Sequence, residues 1–262
     1  MIVTGFHRSG TSLTARILHR AGLFLGDELL GAHPSNPYGH FEDLEVLGLH
    51  EEILADNGLD MFAEAPFIPV LGESHRQKMK SISEKRDAEH PLWGFKEPRT
   101  SLFLMAWKHL LPKARVLIVY RHYAEATYSL ARRHSAETFS GRGTAFDRQL
   151  WEKPDLALKS WLAYNDSLLT FARTYPEDAL VVSLDTIRAG LPLVPVLNHH
   201  WNLGLEDTPG EALETAVTGR RRRQPVSDRR LIPAVDNTWQ ALEKLGSETE
   251  RMLATMYGQE AP

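Results

Sequence analysis

Cysteine is missing from all 262 residues. That removes disulfides, thiol nucleophiles and thiolate-held zinc or iron–sulfur clusters, and it is the usage expected of a cytoplasmic protein. Long apolar runs are missing as well. The longest clean one, Val116 to Tyr120, has the length of a buried strand, not of a membrane span. The first apolar run begins at residue 2, and on that ground we expect no signal peptide. There is no excess of positive charge: Lys+Arg 30 stands against Asp+Glu 34, a formal net charge of −4. Nothing therefore draws the chain as a whole to nucleic acid or to an acidic membrane. Metal-ligand spacing is also lacking among the 12 histidines. His50-Glu51 starts like a zinc-protease helix, but Leu54 stands where the second histidine would fall, and His199-His200 are adjacent. We expect no metal.

What the chain does have is concentrated at its start. The apolar stretch Ile2-Val3-Thr4 runs into Gly5-Phe6-His7-Arg8-Ser9-Gly10-Thr11-Ser12, and an amphipathic helix follows, with Leu13, Ile17 and Leu18 on one side. A loop between a strand and a helix aims its backbone N–H groups at one point, with the helix dipole behind them, and so holds phosphate or sulfate. The interval from Gly5 to Gly10 has the length of a nucleotide P-loop, yet Thr11 occupies the position of the P-loop lysine. The cation lies inside the loop instead, as Arg8.

Apolar runs bounded by turn or charged residues give strands at 2–6, 93–95, 115–120 and 179–184, the type buried on both faces of a parallel sheet. Helical patterns alternate with them at about 12–22, 43–57, 100–110, 123–136 and 155–174. This alternation predicts an α/β fold: a doubly wound, mainly parallel central sheet with helices on both faces, like that of the P-loop NTPases. The C-terminal part reads as helical, with Val235, Trp239, Leu242, Leu245, Met252 and Met256 in one stripe stopped by Gly258. We expect a single domain over 1–262. Two segments read as irregular: 31–41, with Pro34, Asn36-Pro37 and Gly39, and 60–92, expected to form a lid or insertion on the acceptor side.

A second anion site is legible after the third strand. Arg121 falls at the carboxyl edge of that strand, where open α/β sheets bind ligands, and Ser129 follows on the next helix. Together they are suited to a second phosphate through charge-assisted hydrogen bonds.

The ordered pair of sites resembles the PAPS-dependent sulfotransferases, whose donor is 3′-phosphoadenosine 5′-phosphosulfate. Phe6 to Ser12 is similar to the family's 5′-phosphosulfate loop, and Val119-Tyr120-Arg121 through Ser129 to its 3′-phosphate motif. Asn36-Pro37-Tyr38-Gly39-His40-Phe41-Glu42 and Trp93-Gly94-Phe95-Lys96-Glu97-Pro98-Arg99 resemble segments of bacterial members. The resemblance implies sulfuryl transfer from PAPS to a hydroxyl or amine of a carbohydrate or small molecule, leaving adenosine 3′,5′-bisphosphate, without metal. It assigns His7, Arg8, Ser9, Gly10, Thr11 and Ser12, with Arg121 and Ser129, to the donor. Arg8 and Lys96 become the cations that meet charge on the leaving group, with Arg99 paired to a carboxylate. Glu42 is the expected general base, opening a helix, with His40 and Glu28 as rivals. Arg220-Arg221-Arg222-Arg223 reads as a solvated loop, with closure over the 3′-phosphate as the alternative. Tyr38, Phe62, Phe67 and Trp93 are candidates for the acceptor pocket. The rival reading is a small-molecule kinase or other P-loop enzyme, with Asp185 after an apolar strand as its Walker-B carboxylate; a binding module that kept both anion sites is a third.

Overall fold

The computed structural model describes residues 1–34, 36–207 and 226–257; Arg220–Arg223, Gly258 and the side chain of Met256 lie outside the described residues. Four parallel strands form one sheet in the order β2-β1-β3-β4: β1 (Ile2–Thr4), β2 (Phe95–Lys96), β3 (Val116–Tyr120) and β4 (Ala179–Ser183). Val3 pairs with Lys96 on one side and Leu117 on the other, and Ile118 with Val181. Side chains alternate across the sheet as the pleat requires. Ile2, Val116, Ile118, Tyr120 and Val181 enter one core; Val3, Leu117, Val119, Leu180 and Val182 enter the other.

Helices close both faces. The first core takes in α2 (Leu44–Asp56), α4 (Leu104–Leu110), α5 (Tyr123–Phe139), α7 (Leu156–Thr174) and α10 (Ile232–Tyr257), through Leu49, Trp107, Leu130, Trp161 and Leu242. The second takes in α1 (Thr11–Arg20), α8 (Leu184–Arg188) and α9 (Leu193–Trp201), through Leu18, Ile187 and Leu197. Short α6 (Ala145–Glu152) rests on α5.

Three sequence readings need correction. Residues 73–89, read as irregular, form the helix α3 (Glu73–Glu89). Its buried side is His75, Met79, Ile82, Ser83 and Arg86, a helical stripe in which three positions are polar. Arg86 is paired with the buried Asp43, and His75 reaches Asp56 at 3.2 Å, so the stripe is buried without being apolar. The second strand covers 95–96 and ends on Lys96 itself; the strand expected at 93–95 begins two residues too early. Glu97 follows in extended conformation before Pro98, as a residue preceding proline should, and its carboxylate caps the 3₁₀ turn Pro98–Leu102. Finally, α2 is opened by Asp43, whose Oδ1 accepts from the Glu45 and Val46 amides at 3.0 and 3.3 Å. Glu42 therefore lies outside the helix, and its side chain is free for another partner.

The strand order places a switch point between β1 and β3. From β1 the chain crosses to β2 on one side and then to β3 on the other. The loops leaving the carboxyl ends of β1 and β3 thus diverge, and a crevice opens between them.

Candidate active site

All four strands deliver residues to that crevice at their carboxyl ends. It holds about 970 Å³, mouth included, enough for a nucleotide. Among the described residues six cations line it, Arg8, Arg16, Lys96, Arg121, Arg133 and Arg188, against the single carboxylate of Glu42. A protein of net charge −4 thus keeps a strongly cationic cleft.

The β1–α1 loop is built around two close approaches. A Cβ on Gly5 would sit 2.0 Å from the Val119 carbonyl oxygen, and one on Gly10 2.4 Å from Leu184 Cδ1. Glycine lets the loop lie against β3 and α8. Between them Arg8 takes the left-handed conformation, φ 67°, a strained choice for a residue with a side chain. Gly10 caps α1 with no side-chain hydrogen bond, and no acidic residue stands in the first turn. The amides of that turn have no intrahelical acceptor, so the positive end of the dipole faces the cleft. His7, Arg8, Gly10, Thr11 and Ser12 line the cleft; Ser9 does not, and its buried Oγ has no hydrogen-bond partner among the described residues.

Arg121 and Ser129 come to this same loop. Arg121 donates to the Arg8 carbonyl at 3.2 Å and forks onto Glu125 at 3.2 and 3.3 Å, while Arg8 Nε donates to Ser129 Oγ at 3.0 Å. Ser129 thus touches the cleft through Arg8. Burial, then the charges of Arg133, Arg121 and Arg132, pull the Arg8 guanidinium down to about 10, which leaves it cationic at neutral pH.

Opposite lies a buried trio. Lys96, 1% exposed, donates to Glu42 Oε1 at 2.7 Å, to the His40 carbonyl at 3.1 Å and to Ser12 Oγ at 3.3 Å. Burial alone would raise the Glu42 carboxyl, but the Lys96 ammonium and the His40 ring hold it well below the usual carboxylate range. His40 Nδ1 stands 3.8 Å from Glu42 Oε1, and its buried Nε2 has no partner among the described residues. Burial outweighs Glu42 and lowers the His40 pKa, so the ring is neutral at pH 7. Between the two, Phe41 adopts φ 55°, a second strained position. Asn36 and Tyr38 reach α1: Asn36 donates to Ser12 Oγ at 3.2 Å, and the Arg16 guanidinium lies 4.7 Å from the centre of the Tyr38 ring.

A buried network supports the strand end. Trp107 Nε1 donates to His50 Nε2 at 2.8 Å, so His50 Nδ1 carries the proton and donates to Glu97, also at 2.8 Å. Arg99 donates to Glu97 at 2.7 Å and to Glu51 at 3.0 Å. His50 is therefore a core histidine, and Arg99 has the carboxylate partner expected for it. Among the described residues no group of side chains is arranged to hold a metal.

Other sequence candidates lie elsewhere. Glu28 is exposed on a separate depression with Asp27, Lys85 and Arg86. Asp185 is exposed in the first turn of α8, off the cleft, where Leu184 and Arg188 are the lining residues. Of the four aromatic candidates only Tyr38 lines the cleft; Phe62 is stacked on Phe146 in the core, Trp93 donates to Asp87, and Phe67 packs on Phe103. Residues 60–92 supply no lining side chain. Arg16 and Arg133 were missed in the sequence, although each has a spacing signal: four residues after Ser12 and four after Ser129, on the same helix faces.

No family model matches the chain, and no curated protein matches it. Among solved structures, the chain is similar to a sulfotransferase domain from the curacin biosynthetic pathway, at 15% identity and a TM-score of 0.46, over 100% of this chain and 98% of that one.

Proposed function

We propose that this protein transfers a sulfuryl group from PAPS to a hydroxyl or amine of a carbohydrate or other small molecule. The observation that carries the reading is the convergence of two cationic sites. The β1–α1 loop with Arg8 and the β3 end with Arg121 face one cleft and are joined by a direct hydrogen bond. One nucleotide with phosphates at both ends of its ribose answers to that arrangement. The loop amides of α1 suit the 5′-phosphosulfate; Arg121, with two of its five N–H donors uncommitted, suits the 3′-phosphate. No lysine stands in the loop to bridge terminal phosphates, which disfavours an NTP.

The chemistry asks mainly for positioning and charge. By analogy with phosphoryl transfer, the acceptor oxygen forms its bond to sulfur while the bond to the 5′-phosphate breaks in line. Arg8 and the helix terminus meet the charge that grows on the leaving phosphate. Lys96 adds to this through its cleft-side N–H, the one that makes the long bond to Ser12. The acceptor proton goes to the His40–Glu42 pair. Glu42, held ionised by Lys96, is a weak base, so we assign the proton to His40 Nε2 and the orientation and charge balance to Glu42.

Calorimetric titration with adenosine 3′,5′-bisphosphate, set against ATP with magnesium, tests the donor. We expect the bisphosphate to win and Arg121→Ala to weaken it about 10- to 100-fold, the range for a lost charge-assisted bond. Preference for ATP would instead support phosphoryl transfer. Radiolabelled PAPS offered with mixed acceptors tests turnover, and binding without turnover would reduce the protein to a nucleotide-binding module.

A further inference from the structure

Arg133 has no role in the reading above, and its surroundings call for one. It lies on α5 one turn beyond Ser129, on the helix face that meets Arg8, and lines the cleft half-buried. No hydrogen bond or ion pair joins it to any described residue. The carboxylates within its electrostatic reach, Glu42, Glu137 and Asp147, are all engaged elsewhere. Glu42 is bound by Lys96, Glu137 by His33 and Arg142, and Asp147 by His134 and the Thr144 amide. Its cationic neighbours are Arg8 and Arg99. Burial lowers its pKa and so disfavours the charge. A guanidinium kept among like charges, partly out of water and without a counter-ion, is complete only with an anion in the cleft. Its charge acts on His40 and Glu42, which puts it on the side where an acceptor would lose its proton.

We propose that Arg133 recognises an oxyanion on the acceptor, so that the favoured acceptors are hydroxy acids or acidic sugars rather than neutral alcohols. The word acceptor rests on the sulfuryl-transfer reading; the anion site does not.

Matched probes test this: D-glucuronate against D-glucuronamide, and 4-hydroxyphenylacetate against its methyl ester. Each is titrated into the protein with and without adenosine 3′,5′-bisphosphate. At least one charged probe should bind about 10- to 100-fold more tightly than its neutral partner. Arg133→Gln should erase that preference, Arg133→Lys should restore part of it, and bisphosphate affinity should change less than threefold in both. Equal binding within both pairs overturns the proposal. So does a preference that survives Arg133→Gln, which would put the carboxylate on another cation. A tenfold loss of bisphosphate affinity in Arg133→Gln overturns it too, by making Arg133 a donor contact. Failure of the bisphosphate to bind wild-type protein sinks the donor reading alone, since the nucleotide-free titrations still report on Arg133.

Discussion

Glu42 and His40 show how one neighbour redirects a residue's chemistry. A carboxylate just ahead of a helix is a reasonable base by sequence, but Lys96 at 2.7 Å stabilises its charged form and removes its appetite for a proton. His40, two residues away, stays neutral because burial outweighs the pull of Glu42. We therefore expect His40→Asn to lose about 10²- to 10⁴-fold in turnover, the usual worth of a positioned base, while bisphosphate binding persists. Glu42→Gln should retain more activity. The sign of its pH effect follows from the charges: Glu42 raises the His40 pKa, so its removal lowers that pKa. Activity is lost as pH falls through it, and the acid limb of the rate profile should move to lower pH in Glu42→Gln. A dead Glu42→Gln beside an active His40→Asn would return the base to Glu42. The sequence favoured Glu42 over His40 because the deciding contact, from Lys96, spans 54 positions and leaves no local signal.

Elements were legible where their period was apolar and illegible where buried positions were polar. The strands at 116–120 and 179–183 and the helices α1, α2, α5 and α7 lie within a few residues of where their patterns put them. The helix α3 was missed because His75 and Arg86 occupy buried positions that a hydrophobic count scores as surface. The β1–α1 loop is the element whose geometry is most exposed to a single change. Gly5→Ala places a methyl against the Val119 carbonyl, a backbone atom that cannot step aside, at 2.0 Å. We expect a loss of about 1–3 kcal/mol and a Tm drop of a few degrees. Gly48→Ala is the matched control: Gly48 lies within α2 with nothing within 4 Å of the added Cβ, so it should gain about 0.5–1 kcal/mol. Thermal melts of the two variants should shift in opposite directions, and equal melting points would contradict the packing of loop on strand.

For the molecule as a whole, cleft and core share ionisable groups, and acid should weaken both. His7, at the buried inner end of the cleft, has Nε2 3.3 Å from the Tyr164 hydroxyl, which itself donates to the Met61 carbonyl. Burial, then Arg99, lowers its pKa from 6.5 to about 3. The unfolded chain therefore binds a proton that the folded one refuses. Stability falls with pH below 6.5 and keeps falling toward about 3, by about 1.4 kcal/mol per pH unit for this one group. Denaturant melts between pH 6.5 and 4.5 should show a shallower slope in His7→Asn, and an unchanged slope would mean that the imidazole is hydrated. By itself the sequence determined the α/β alternation, the loop that opens with Gly5, the position of Arg121 at a strand end and the exclusion of thiol chemistry, because each depends on local period or composition. Only the tertiary structure decided that both cationic sites open into one cleft, that Lys96 claims Glu42, that Glu28 and Asp185 lie off it, and that Arg133 faces it with no partner among the described residues. Those facts follow from strand order and burial, which bring together residues that no spacing along the chain relates.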